Sequence, residues 1–312
     1  MPQLPKPKIR SATVRSALGR QPQAFPHAKP LNSPKSAPKE STDGGISREE
    51  LKARRRKFLM TAGALYGTFL AGAYYWISYG VAQGGPYEEA KPRDTAQTYD
   101  KLAKQYDRII GRDELFMGLS FWRKDVAKQA TGDVLEVSCG TGRNIAYLNI
   151  PAVKSITYVD SSEQMIEQTR EKFTDRYAKY QHAQFLAKRA QDLPLDIKYD
   201  TILQTFGLCS HEDPVYVLMH LQDLLKPGGK IILLEHGRGT WDFVNRILDK
   251  SAASRAEVFG CRWNLDIGDI VRKSGLVIDK ESRSHFGTTW TIIAHRAGDV
   301  MPPEQKKRFL IW

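Results

Sequence analysis

Through the later two-thirds of the chain, short apolar runs alternate with segments whose apolar residues recur at helical spacing. The runs predict strands over residues 134–137, 155–159, 183–186, 199–203, 230–236, 276–282 and 289–295. Helices are expected between them, including 162–177 and 214–225, and two more precede the first strand at 95–110 and 115–130. In the earlier of these, Leu102, Tyr106 and Ile109 share a face, while Thr131 and Gly132 separate the later one from the strand. Such alternation predicts an α/β fold, a mostly parallel seven-stranded sheet covered by helices on both faces. Sheets of this kind gather ligands at the carboxyl ends of their strands.

A different pattern precedes this domain. Residues 58–80 form a 23-residue stretch without a charge, and about 20 helical residues cross a bilayer's hydrocarbon core. With Tyr74, Tyr75, Trp76 and Tyr79 as an interfacial aromatic belt, the expectation is one transmembrane helix. A buried or peripheral amphipathic helix is the competing reading. Gly63, Gly67 and Ala71 recur every fourth residue, a stripe that permits a helix-mediated dimer or a partner helix in an inner-membrane protein. Ahead of the span, residues 1–39 hold eight Lys or Arg and no Asp or Glu, the composition of a mitochondrial presequence. A disordered basic tail is the alternative, favoured by eight prolines in the same segment.

The basic run Arg54, Arg55, Arg56, Lys57 abuts the span, and Glu88 and Glu89 follow it. Positive charge stays on the negative, matrix side. The expected organisation is therefore a presequence and basic matrix-side segment over 1–57, the transmembrane helix over 58–80, a linker over 81–94, the α/β domain over 95–297 and a C-terminal tail over 298–312. This places a single-pass protein in the mitochondrial inner membrane, with its main domain in the intermembrane space.

Charge distribution narrows the partners. The net charge is +12, but residues 1–57 carry 14 Lys or Arg against 4 Asp or Glu, or +10, which leaves only +2 for the rest. The basicity belongs to the N-terminus, which argues against nucleic acid as a partner of the main domain. Cys139, Cys209 and Cys261 are far apart in sequence and form no CxxC pair or zinc spacing. They read as small buried apolar side chains, with no metal expected.

The densest chemistry lies at Leu135-Glu136-Val137-Ser138-Cys139-Gly140-Thr141-Gly142-Arg143-Asn144. It reads as a strand ending in a glycine turn that opens a helix, with Gly140 and Gly142 allowing close backbone approach to a nucleotide-like ligand. A dinucleotide loop would want a third glycine where Ile145 stands, so S-adenosylmethionine, which has no pyrophosphate, is the alternative. Asp160, at the end of the second strand, can accept from ribose hydroxyls, although capping the next helix is a comparable role that Ser161 or Ser162 could also fill. Asp192 follows the third strand, where it could accept from an adenine amino group. Gln204, Thr205 and Phe206 end the fourth, and Lys226-Pro227-Gly228-Gly229 closes a helix before the fifth.

This ordered set resembles the class I S-adenosylmethionine-dependent methyltransferases over residues 95–297. The resemblance implies that Glu136, Ser138, Gly140 and Gly142 surround the methionine and ribose end, that Asp160 holds the ribose, that Met165 packs near adenine and that Asp192 reads its edge. Cys139, Ser161 and Gln204 fall in the same segments and complete the expected cofactor-binding set. Ser138 departs from the glycine that many members carry. Leu234-Glu235-His236-Gly237-Arg238-Gly239, Gly260-Cys261-Arg262-Trp263-Asn264 and His285-Phe286-Gly287-Thr288-Thr289-Trp290 narrow the resemblance to the fungal Oms-type mitochondrial methyltransferase-like membrane proteins.

The expected activity is methyl transfer from S-adenosylmethionine to an unassigned acceptor, a small lipophilic molecule or a membrane protein. An alcohol or thiol acceptor needs a base. His236 at the end of the fifth strand is the first candidate, with His211 and His285 behind it, and Glu235 points to the opposite strand face from His236. Arg238 could bind an anionic acceptor, and Tyr99, Trp263 and Trp290 could wall it. The competing class is a catalytically silent methyltransferase fold acting as an assembly or scaffold factor for inner-membrane respiratory proteins.

Overall fold

The structure, a computed structural model, describes residues 48–83 and 90–299, with the side chains of residues 69–83 and of Asp113 outside that description. Residues 1–47 of the expected presequence segment, residues 84–89 of the linker and the tail beyond 299 lie outside the described residues.

Helix α1 spans Arg48–Gln83. It absorbs both the basic run and the uncharged stretch into one 36-residue helix. Among the described residues, however, no helix is long and apolar enough to cross a membrane. The transmembrane helix expected over 58–80 is therefore not borne out by the described residues. Being uncharged did not make the stretch apolar, because glycines, Thr61, Thr68, Ser78 and five aromatic hydroxyl or indole groups dilute it.

The α/β domain follows the predicted alternation closely. Helices α2 (Ala96–Phe116) and α3 (Leu119–Ala127) precede β1 (Gly132–Val137). Then come β2 (Val153–Asp160), α4 (Glu163–Arg176), β3 (Ala183–Ala187), β4 (Tyr199–Thr205), α5 (Pro214–Asp223) and β5 (Leu225–His236). Helices α6 (Asp242–Phe259) and α7 (Ile267–Lys273) lead to β6 (Leu276–Ser284) and β7 (Thr289–Arg296). The strands form one seven-stranded sheet in the order β3-β2-β1-β4-β5-β7-β6. Strands β1 to β5 pair in parallel, and β7 is antiparallel to both β5 and β6.

Two apolar layers sandwich the sheet. On one face Leu135, Val137, Ile202 and Leu233 pack with Val217, Leu218 and Leu221 of α5 and Ile267 and Val271 of α7. On the other, Val134, Ile156, Leu203 and Ile232 pack with Val126 and Ala127 of α3 and Ile166 and Phe173 of α4. Central strands buried on both faces explain why β1, β4 and β5 read as continuous apolar runs rather than as alternation.

Caps set where the helices start. Ser162 Oγ accepts from the Met165 amide at 3.1 Å, and Asp213 and Asp266 do the same for α5 and α7. Because Ser162 caps α4, the Asp160 carboxylate is not needed as the cap. The expected helix after the glycine loop is replaced by short 3₁₀ turns at Ile145–Tyr147 and Ile150–Ala152. The chain has only eleven residues, 142 to 152, in which to reach β2, and Pro151 and two asparagines break helical continuity there.

Candidate active site

Strand order reverses between β1 and β4, since the chain runs outward through β2 and β3 on one side and through β4 and β5 on the other. That reversal opens a crevice at the carboxyl ends of the two strands. The crevice is an open cleft lined by the segments that leave β1, β2, β3 and β4 and by residues of α2 and α3. Ser138 and Phe206, the first residues beyond β1 and β4, have φ of 52° and 57°. For residues with a Cβ, this left-handed conformation costs about 1–2 kcal/mol each. The strain is stored at the two strand ends that define the site.

Asp160 is the carboxylate aimed into this cleft. Its Oδ2 accepts from the Gly140 amide at 2.9 Å and its Oδ1 from the Ser162 amide at 3.0 Å, so the side chain bridges the loops after β1 and β2. Burial pushes its carboxyl up to about 6 despite those donors. Gly140 has φ of 55°, and a Cβ added there would meet nothing within 4 Å, so its backbone faces open space. Ser138, Cys139, Ser161 and Met165 also line the cleft, with Met165 almost fully buried at its floor. Gln191 lines it as well, and its buried Oε1 has no protein partner.

The remaining expected cofactor residues stand elsewhere. Gly142 turns away from the cleft: a Cβ there would meet Ile145 Cδ1 at 2.5 Å and Thr169 Oγ1 at 3.0 Å, so its glycine is required by packing. Asp192 is exposed and held by Arg189 at 2.9 and 3.2 Å, leaving neighbouring Gln191 to face the cleft. Glu136 is buried beneath the wall, where Oε1 accepts from Asn144 Nδ2 at 3.0 Å and Oε2 is unpartnered. Burial pushes its carboxyl up to about 8, against the opposing pull of that hydrogen bond. Gln204 is fully buried and acts from below, donating to Ser138 Oγ at 3.2 Å and to His211 Nε2 at 2.8 Å.

Of the three candidate bases, only His211 lines the cleft. Burial, aided by the Arg262 charge, pushes its imidazole down to about 4, so it is neutral at physiological pH. His236 instead directs Nε2 at two thiols, 3.2 Å from Cys209 Sγ and 2.9 Å from Cys261 Sγ. Two of the three cysteines expected to be unconnected apolar fillers thus converge, and Cys209, His236 and Cys261 form a potential metal-ligand group. His285 is a turn residue between β6 and β7 with φ of 52°, bonded to Thr289 Oγ1 at 2.9 Å and to the Met117 carbonyl at 3.0 Å. Those two contacts use both ring nitrogens.

Of the expected acceptor residues, only Tyr99 lines the cleft, its hydroxyl 2.6 Å from Ser210 Oγ. Arg238 is occupied by Asp249 at 2.7 and 3.2 Å. Trp290 is core, donating to the Arg238 carbonyl at 3.0 Å, and Trp263 donates to the Leu248 carbonyl under the Arg255 guanidinium. Their aromatic and basic character suggested a surface role, but each finds its partner within the fold.

Pattern reasoning missed a buried polar chain that forms one wall. Arg123 pairs with Glu114 at 2.5 Å and donates to Asn144 Oδ1 at 2.9 Å and Thr205 Oγ1 at 2.8 Å. Arg143 joins the same Glu114 at 2.7 Å, and Asn144 carries the chain on to Glu136. Burial would raise the Glu114 carboxyl, but the two arginines hold it below its usual range. A sequence signal existed: Arg123 interrupts the apolar face of α3 between Leu119 and Val126. Tyr106 and Phe206 supply the aromatic lining, with Arg123 over the Phe206 ring at 5.2 Å.

Comparison with known proteins agrees with this geometry. Residues 134–229 match the family described as a methyltransferase domain. The mitochondrial methyltransferase OMS1 of Saccharomyces cerevisiae is 47% identical over 228 residues, covering 68% of this chain and 48% of that protein. The demethylmenaquinone methyltransferase of Clavibacter sepedonicus is 30% identical over 169 residues, 51% of this chain and 64% of its own. The chain thus spans about half to two-thirds of these curated relatives. Among solved structures, the [4+2]-cyclase SpnF shares the fold with a TM-score of 0.52 at 14% identity, over 67% of this chain and 97% of that one. The domain has the class I methyltransferase fold.

Proposed function

We propose that this methyltransferase domain binds S-adenosylmethionine in the cleft between β1 and β4 and passes its methyl group to a ring-bearing lipophilic acceptor. The observation that carries the reading is Asp160, a half-buried cleft carboxylate clamped between the Gly140 and Ser162 amides beside a backbone with open space before it. When bound, S-adenosylmethionine supplies an electrophilic methyl on a sulfonium that an acceptor lone pair displaces in line.

The chain's own residues fit that group. Asp160 accepts from the ribose diol, Met165 packs the adenine, and the Gln191 amide, whose Oε1 has no protein partner, accepts from the adenine edge. Arg123 and Arg143 line the cleft with their charges balanced by Glu114 and Asp107, and so fix its wall. Tyr99, Tyr106 and Phe206 wall the open side, excluding water and orienting an acceptor so that the reaction becomes effectively intramolecular. Neutral His211, whose Nε2 accepts from Gln204, carries its proton on Nδ1 and can donate it to an acceptor oxygen. With its pKa near 4 it is a weak base, so it orients the acceptor more than it deprotonates it.

The aromatic walls favour a flat apolar acceptor, and the bacterial relatives are named for demethylmenaquinone. A mitochondrial location is supported by the acid-free basic start of the chain and by the name of the yeast relative.

Incubating purified full chain and radiolabelled S-adenosylmethionine with mitochondria from cells lacking the gene tests the activity. Label should enter the organic-extractable fraction with the wild-type chain and fall at least about tenfold with Asp160→Asn, from loss of a charge-assisted bond. Label confined to protein would overturn the lipophilic acceptor, and no label at all would favour the silent scaffold.

A further inference from the structure

Three residues from separate segments converge behind the cleft wall. Cys209 lies in the short turn Leu208–Ser210 after β4, His236 is the last residue of β5, and Cys261 follows the end of α6. They are 27 and 25 residues apart in sequence. One imidazole nitrogen, His236 Nε2, faces both sulfurs at 3.2 and 2.9 Å, and all three ligand atoms lie within 4.8 Å of one another.

We propose that Cys209, His236 and Cys261 form a zinc site with three protein ligands and a fourth position left to water. Two thiolates neutralise a Zn²⁺ ion and an imidazole completes a soft ligand set of the kind zinc prefers. Zinc takes sulfur at about 2.3 Å and nitrogen at about 2.0–2.1 Å. A tetrahedral ion therefore needs nitrogen and sulfur about 3.6 Å apart. His236 Nε2 must part from the two sulfurs by about 0.4 and 0.7 Å to admit it.

The surroundings are built to hold the arms in place. The Glu235 carboxylate accepts from the Gly207 amide at 3.1 Å and the Leu208 amide at 3.3 Å, fixing the turn that carries Cys209. The Arg262 amide donates to the Cys209 carbonyl at 3.1 Å, which ties the two cysteine segments through their backbones. Both cysteines are buried, at 1% and 5% exposure, so the ion would lie in a protected environment. Supporting contacts of this kind orient metal ligands and deepen affinity. The site also touches the cleft: the Phe206 ring stands 5.5 Å from the His236 ring, and Ser210 Oγ is 3.6 Å from Cys209 Sγ. Phe206 and Ser210 are both cleft residues, so the ion would brace the acceptor wall from behind.

This inference is independent of methyl transfer and is tested on the purified, reduced full chain. Elemental analysis should find about one zinc per chain after expression with zinc and no chelator. After removal of the metal, Co²⁺ titration should give a thiolate-to-cobalt absorption band that saturates at one equivalent and disappears on adding Zn²⁺. Bound zinc should shield Cys209 and Cys261 from alkylation. Cys261→Ala and His236→Ala should each weaken zinc at least about 100-fold, while Cys139→Ala keeps it. The wild-type readouts decide the matter even if a variant misfolds. Free thiols with neither stoichiometric zinc nor a cobalt band would overturn the site, as would a Cys209–Cys261 disulfide in the protein purified without reductant and persisting when zinc is supplied.

Discussion

Single residues show how burial changes a side chain's task. Glu136 reads from the sequence as a ribose acceptor, but it is enclosed beside Asn144 with its carboxyl raised to about 8 from an ordinary 4.5. In the folded protein it stays protonated over a range in which the unfolded chain ionises. Its favourable contribution is complete below about pH 4.5 and is lost as pH rises towards 8. Glu136→Gln keeps the acceptor for Asn144 and removes the ionisation. Urea unfolding should show the pH slope of stability reduced by up to about 1.4 kcal/mol per unit between pH 5 and 8. Glu235, raised to about 8 by burial, leaves part of the slope in place. An unchanged slope would mean that Glu136 ionises as freely as an exposed carboxyl.

At the scale of elements, the strands were legible because a parallel sheet buried on both faces writes itself as apolar runs. All seven predicted strands occur, and helices α2, α4 and α5 begin within a residue of expectation or at a readable cap. What failed to show was convergence between distant segments. Gly142 looks like Gly140 in sequence, yet one packs against Thr169 and the other faces the cleft. Asp192 and Gln191 are adjacent, and only the structure decides which one turns inward. The Arg123 chain joins α2, α3, β1 and β4 through side chains that no local period connects. Arg123→Met leaves Glu114, Asn144 and Thr205 short of a buried partner and should cost about 3–5 kcal/mol in chemical unfolding. Arg238→Met, at a partly exposed ion pair with Asp249, should cost under about 1 kcal/mol. Equal costs would remove the distinction between the two networks.

For the whole molecule, charge divides the chain into a basic N-terminal segment and a nearly neutral domain. Deleting residues 2–39 should leave the domain's unfolding transition unchanged while abolishing its recovery in purified mitochondria. Continued mitochondrial recovery of the shortened chain would place the address elsewhere. The sequence overstated the next segment, because a stretch free of charge is not thereby apolar enough to span. It understated the cleft's back wall, where three residues too far apart to form a spacing motif meet. Fold and cofactor loop were readable because they are local and repetitive. The acceptor wall was not, being assembled from α2, α3 and the exit of β4.

The central claim is that the β1–β4 cleft binds S-adenosylmethionine through Asp160. Calorimetric titration of the full chain with S-adenosylmethionine tests it most directly. The account predicts one site per chain and an affinity about 10–100-fold weaker in Asp160→Asn. Absence of binding heat and of any thermal shift in a folded wild-type chain would contradict it, as would equal affinity in the variant.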